Sequence, residues 1–174
     1  MIEIKLIGVI LITLSCGCTG YVLSQRQNYR FSDVEELKKG ISFYKGCVNA
    51  MDFDVAQVFS ETSKRLKGAV REIFVFSAEK TAQKTTGDIN MIWKDSVDRV
   101  KEITFFDKND METVYSFGAV PGFMDRQQQS EAADMVIKEL ETIEKDIEQK
   151  KAKEENMFRS CGVLCGLLIS ILLF

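Results

Sequence analysis

The stretch LIGVILITLSCGCTGYVL, residues 6–23, runs eighteen positions without a charged side chain, and its fate decides the architecture. Glu3 and Lys5 precede it and Arg26 follows it. A helix that crosses a bilayer needs about 20 mostly apolar residues, and Ser24 and Gln25 extend the stretch to that length. The opposite end reads SCGVLCGLLISILLF, residues 160–174, fifteen uncharged positions. Met157 and Phe158 lengthen it once Arg159 carries its guanidinium out to the interface. A short span is accommodated at small cost by local thinning of the bilayer. Both segments are therefore expected to enter a membrane. The chain divides into an N-terminal transmembrane helix at 1–25, a middle domain at 26–156 and a C-terminal transmembrane helix at 157–174.

The alternative is that the first segment is a cleaved signal, with a charged start, an apolar middle and small residues near Cys16 and Cys18. The chain is then a secreted or lipid-anchored helical interaction module. Neither Thr13-Leu14-Ser15 nor Ser15-Cys16-Gly17 is the usual approach to a lipidated cysteine. An intact mass retaining Met1 to Cys16 excludes this alternative.

Basic residues set the orientation. Arg26, Arg30, Lys38 and Lys39 follow the first segment, and Lys145, Lys150, Lys151, Lys153 and Arg159 precede the second. Only Lys5 lies on the other flank. The expectation is a cytoplasmic middle domain, with the cell membrane crossed twice. Cys16, Cys18, Cys161 and Cys165 fall in the apolar segments and read as small packing residues. Cys47 faces a reducing compartment.

Composition narrows the function. With 174 residues the expectation is one domain. One proline and 28% charged residues suit long helices. There is no histidine, which removes the usual general base and the commonest metal ligand. A net charge of −3 gives no reason to expect a nucleic-acid partner. No phosphate loop, nucleophile elbow, paired-cysteine knuckle or dinucleotide fingerprint occurs. The carboxylates alternate with lysines, as on solvated helix faces. The chain is expected not to be an enzyme, to carry no cofactor or metal and to take no small-molecule substrate.

Between the ends, apolar spacing is helical almost throughout. Ser32-Asp33-Val34-Glu35 predicts a capping box opening a helix with the stripe Val34, Leu37, Ile41, Tyr44, Val48. Asp52 or Asp54 opens a second, with Val55, Val58, Phe59, Thr62 and Leu66 on one face. Gly68 breaks the chain before a third, bearing Val70, Ile73, Phe74 and Ser77. The turn Thr85-Thr86-Gly87-Asp88 leads to Ile89, Ile92, Trp93, Val97, Val100 and Ile103. Asp107 opens a fifth through Met111, Val114 and Phe117, with Gly118 as its left-handed terminator. Pro121-Gly122 stops anything from continuing. Asp125 begins the last and longest helix, whose stripe Ala132, Val136, Leu140, Ile143, Ile147 approaches a coiled-coil seam. The fold class is all-α: a cytoplasmic bundle of about six helices flanked by the two transmembrane helices.

Two sites follow from these readings. The corner from Phe117 to Asp125 pairs a Phe-Gly with a Pro-Gly step and is expected to expose backbone and aromatic surface for a docking partner. Gly162-xxx-Gly166 lets the second membrane helix pack closely, either on the first span or on another subunit.

The C-terminal third resembles the stage III sporulation protein AB family of endospore-forming bacteria. Phe117-Gly118, Gly122, Asp125 and Gln129 fit its FG-xx-xG-xx-D-xxx-Q pattern. Asn156-Met157-Phe158-Arg159-Ser160 and the following Cys161-Gly162-Val163-Leu164-Cys165-Gly166-Leu167-Leu168 are similar to its ending. Thr19-Gly20 at the end of the first apolar segment also fits. The middle departs: where the family carries a Thr-Pro-Leu turn, this chain has Lys45-Gly46-Cys47 and Met51-Asp52-Phe53. The resemblance implies a component of the channel complex between mother cell and forespore, held in the mother-cell membrane. It implies distant similarity to type II secretion and type IV pilus platform proteins. It also implies a cytoplasmic ATPase partner, stage III sporulation protein AA, alongside other membrane proteins of the complex. Phe117, Gly118, Gly122, Phe123, Asp125 and Gln129 are then the candidate docking residues.

Overall fold

The computed structural model describes the backbone of residues 2–50, 54–83, 88–122 and 125–173, and the side chains of 25–49, 54–83, 88–122, 125–151 and 153. Among these residues there are six α-helices, one 3₁₀ segment and no strand. The helices are α1 (Ile2–Ala50), α2 (Val55–Ser63), α3 (Gly68–Ala82), α4 (Ile89–Val100), α5 (Lys108–Ser116) and α6 (Arg126–Leu173). The 3₁₀ segment, Phe117–Gly122, precedes α6. Contacts divide the chain into two compact units: residues 29–145, and residues 1–28 with 146–174.

No helix is long and apolar enough, among the described residues, to cross a membrane. The apolar stretches 6–23 and 160–174 lie outside the described side chains, so both expected spans fall there.

α1 overturns one expectation. It runs from Ile2 to Ala50 without interruption, so Ser32 starts nothing. Residues 24–31 contain no glycine or proline to stop it. Inside a helix, the amides after Ser32 already have carbonyl partners, and a cap needs orphan amides. Asp33 turns elsewhere and accepts the Phe105 backbone N–H at 2.8 Å. The stripe itself holds: Val34, Leu37, Ile41, Tyr44 and Val48 are all buried.

The shorter helices start as their sequences dictate. Asp54 caps α2 by accepting the Val55 N–H at 2.9 Å. Asp52 and the turn residues 85–87 lie outside the described residues. Gly68 opens α3 at φ +60°, a left-handed backbone that suits glycine. Asp88 caps α4 through the Asn90 N–H, and Asp107 caps α5 in a full capping box with Asp110. α4 ends at Val100, so Ile103 does not extend its stripe; it stands 63% exposed in the following loop.

In the 29–145 unit, α2 packs on α3, α3 on α4, and α4 on the 3₁₀ segment. The second half of α1 runs antiparallel to the start of α6, because partners on α6 fall in number as those on α1 rise. Lys38 pairs with Glu144, Lys45 with Asp134 at 2.6 Å, and Asn49 donates to Ser130 at 3.3 Å. On α6 the buried positions are Ala133, Val136, Leu140 and Ile147; Ala132 and Ile143 are half-buried. The seam thus passes through Ala133 rather than Ala132, giving the three-then-four spacing of a heptad, as in Val34, Leu37, Ile41, Tyr44, Val48 of α1.

Candidate docking surface

The core of the 29–145 unit is a cluster of five rings. Tyr44, Phe59, Phe74, Trp93 and Phe117 meet at centroid separations of 4.8 to 6.2 Å. Most pairs are tilted or edge-to-face, the arrangement the ring quadrupole favours. Trp93 donates its Nε1–H to the Val114 carbonyl at 2.7 Å, so its one polar atom is satisfied inside the core.

This cluster fixes the corner between α5 and α6. Phe117 is fully buried among the rings, so it offers no aromatic surface, contrary to expectation. Gly118 is buried too and is not a left-handed terminator; Gly68 alone has positive φ among the described glycines. Its role is close approach. A Cβ at Gly118 would lie 2.8 Å from Trp93 Cδ1 and 2.7 Å from Asn90 Oδ1. Pro121 is buried near the end of the 3₁₀ segment, which stops at Gly122 as the Pro-Gly step leads one to expect; α6 begins at Arg126. Gly122 and Asp125 face solvent. Asp125 accepts the Gln127 N–H at 3.2 Å and starts α6 as expected. Gln129 is half-buried and accepts the Tyr44 hydroxyl at 3.0 Å, tying α6 to the cluster. Phe123 lies outside the described residues, as do the side chains at 162 and 166. The corner is therefore a braced turn: Phe117, Gly118 and Gln129 hold it from within, and Gly122 and Asp125 form its outer edge.

A second arrangement was missed by the sequence reading. Arg30 inserts into the unit and is met by two carboxylates. Its Nε and Nη2 donate to the two oxygens of Asp110 at 2.7 Å each, and Nη2 also reaches Asp107 at 2.7 Å. Asp110 is wholly buried. It also accepts the Asp107 N–H at 2.8 Å, so the pair is hydrogen-bonded as well as charged. Burial pushes Asp107 up. The Asp110 and Asn109 amides and the Arg30 guanidinium outweigh it and hold the acid below its ordinary range. Arg30 lies four residues before Val34, at a core position of the α1 stripe, and that register was the signal that it points inward.

Other titrating groups are local. Tyr115 donates to Asp98 at 2.7 Å; desolvation and that carboxylate push Tyr115 up to about 12. The same hydrogen bond draws Asp98 down. Burial pushes the Cys47 thiol up, which makes it a poor nucleophile. No group of three or more Cys, Asp or Glu side chains converges as a metal site among the described residues.

A family model described as Stage III sporulation protein AB matches residues 5–174. The Stage III sporulation protein AB of Bacillus subtilis (strain 168) is 25% identical over 170 residues, covering 98% of this chain and 99% of that protein. A solved structure of Stage III sporulation protein AB superposes with a TM-score of 0.67 at 18% identity, covering 72% of this chain and 98% of the other. That likeness concerns the fold.

Proposed function

This chain belongs to the stage III sporulation protein AB family, and on that premise we propose that it is a non-enzymatic membrane platform of the channel complex between mother cell and forespore. In this reading residues 6–23 and 157–174 lie in the mother-cell membrane. The helical domain is cytoplasmic and couples a secretion-type ATPase, stage III sporulation protein AA, to the channel.

The supporting observation is that α1 and α6 are each one unbroken helix, Ile2–Ala50 and Arg126–Leu173. Residues 24–31 and 126–159 hold no glycine or proline, so nothing in the sequence breaks either helix next to its apolar stretch. The orientation rests on basic residues. With Arg30 neutralised inside the unit, the remaining eight still outnumber Lys5 on the other flank.

The ATPase is assigned to the outer edge of the braced corner, at Gly122 and Asp125, together with Phe123, which lies between them in sequence, with Phe117, Gly118 and Gln129 as internal supports. The test is capture of the purified ATPase by the full-length chain in detergent micelles. The Phe123→Ala and Asp125→Ala chains should retain less ATPase than the wild type. Equal retention removes the corner as the docking edge, and no retention by the wild type removes the platform reading. Gly162→Leu and Gly166→Leu should weaken membrane-helix association; unchanged assembly removes the close-packing role.

A further inference from the structure

One surface in the 29–145 unit is apolar where it should be wet. Ile103, expected in the core, is 63% exposed; Phe105 is 38% and Tyr29 52% exposed. Their exposure is organised. The Tyr29 and Phe105 rings stack at 4.9 Å, and Asp33 holds the Phe105 N–H at 2.8 Å, so the loop after α4 is pinned against α1. Exposed Lys101 and Lys108 bracket the loop.

Chain length says what this patch meets. Only six residue-to-residue steps separate Leu23, the last of the first apolar stretch, from Tyr29. Even fully extended they reach about 20 Å. If residues 6–23 cross a bilayer, Tyr29 is confined near its surface. There an aromatic with one polar end and flanking lysines is at home, because the headgroup zone accepts amphipathic rings and basic side chains. We infer that Tyr29, Ile103 and Phe105 form a seat in the headgroup–acyl boundary of the membrane that the first apolar segment enters. The inference rests on the membrane reading above. It adds that the helical domain itself touches lipid, through one loop, and is not merely tethered beside it.

The full chain is reconstituted in phosphatidylglycerol–phosphatidylethanolamine vesicles with or without brominated acyl chains, and tryptophan quenching is read. Wild type supplies the baseline from Trp93, which is buried. Phe105→Trp and Ile103→Trp should each gain a quenched component. Met91→Trp should not: Met91 is 68% exposed but lies near the other end of α4, about 14 Å of helix before Val100. Tyr21→Trp reports on the first apolar segment. Quenching at 21, 103 and 105 above that at 91 supports the seat. Quenching at 21 without excess at 103 and 105 overturns the seat and leaves the membrane reading standing. No quenching at 21 removes the membrane reading, and the seat with it.

Discussion

The Trp93 cluster and the Arg30–Asp110 pair both fasten α5 into the bundle, and they do so by opposite physics. Trp93 holds the Val114 carbonyl at 2.7 Å from within a group of rings. Arg30 grips Asp110 one turn earlier on the same helix. Apolar burial is non-directional, and a core tolerates exchange of one large residue for another of similar volume. A buried ion pair tolerates the loss of neither partner, because the survivor remains charged in a poor solvent. The rings therefore set how stable this unit is, and the ion pair sets which way α5 enters it.

The largest expected loss comes from Trp93→Ala. It opens a cavity among four rings and leaves the Val114 carbonyl unpaired, so stability should fall by about 5 kcal/mol, read from the urea midpoint by circular dichroism. Trp93→Phe should cost much less, and a comparable cost breaks the claim that volume dominates there.

Next comes Asp110→Ala, which leaves Arg30 with only the half-exposed Asp107 as partner, takes away the acceptor of the Asp107 N–H, and should cost about 3 kcal/mol. The pairwise replacement Arg30→Met with Asp110→Leu should recover part of that loss, since two apolar groups need no partner, while the Asp107 N–H still lacks its acceptor. If the pair is as damaging as the single change, the guanidinium does more than meet these carboxylates.

Gly118→Ala is smaller. The added Cβ meets Trp93 and Asn90 below 3 Å, and such overpacking costs about 1–3 kcal/mol. No effect on the urea midpoint would show that the corner yields freely.

The smallest effect is on pH. Asp107 sits below its ordinary range, so its contribution is fully present above about pH 4 and is lost as pH falls through its folded value. Wild type should exceed Asp107→Asn in urea midpoint at pH 7, and the gap should close toward pH 3. A gap that does not narrow at all as pH falls below 4 means the carboxylate charge is not what Arg30 uses.

The apolar half of this contrast was readable in the order of residues and the polar half was not. Three-then-four spacing placed Val34, Leu37, Ile41, Tyr44, Phe74 and Trp93 correctly, because periodicity records which face is buried. Asp54, Asp88, Asp107 and Asp125 announced their helix starts, since capping is local chemistry. The Ser32 start failed because a capping motif acts only where a helix has a free end, and α1 has none there. Gly118 failed for a long-range reason: the close approach of Trp93, 25 positions earlier, is not written beside it. Arg30 was counted with the membrane-flanking charges, although its spacing from Val34 put it on the buried stripe. At the docking corner, the bend was legible and its inside was not. Phe117 faces a core assembled from five separate segments, and Gly122 and Asp125 are what it leaves outside.

All of the functional reading depends on which side of the membrane the helical domain occupies. Cys47 is a poor reporter, being 4% exposed. Lys64, with a side chain 63% exposed, is a good one. Cells expressing the Lys64→Cys chain are treated with a membrane-impermeant maleimide, with wild type as the background. No labelling above background in intact cells, and strong labelling once they are opened, is the expected result. Labelling of Lys64→Cys in intact cells contradicts the platform.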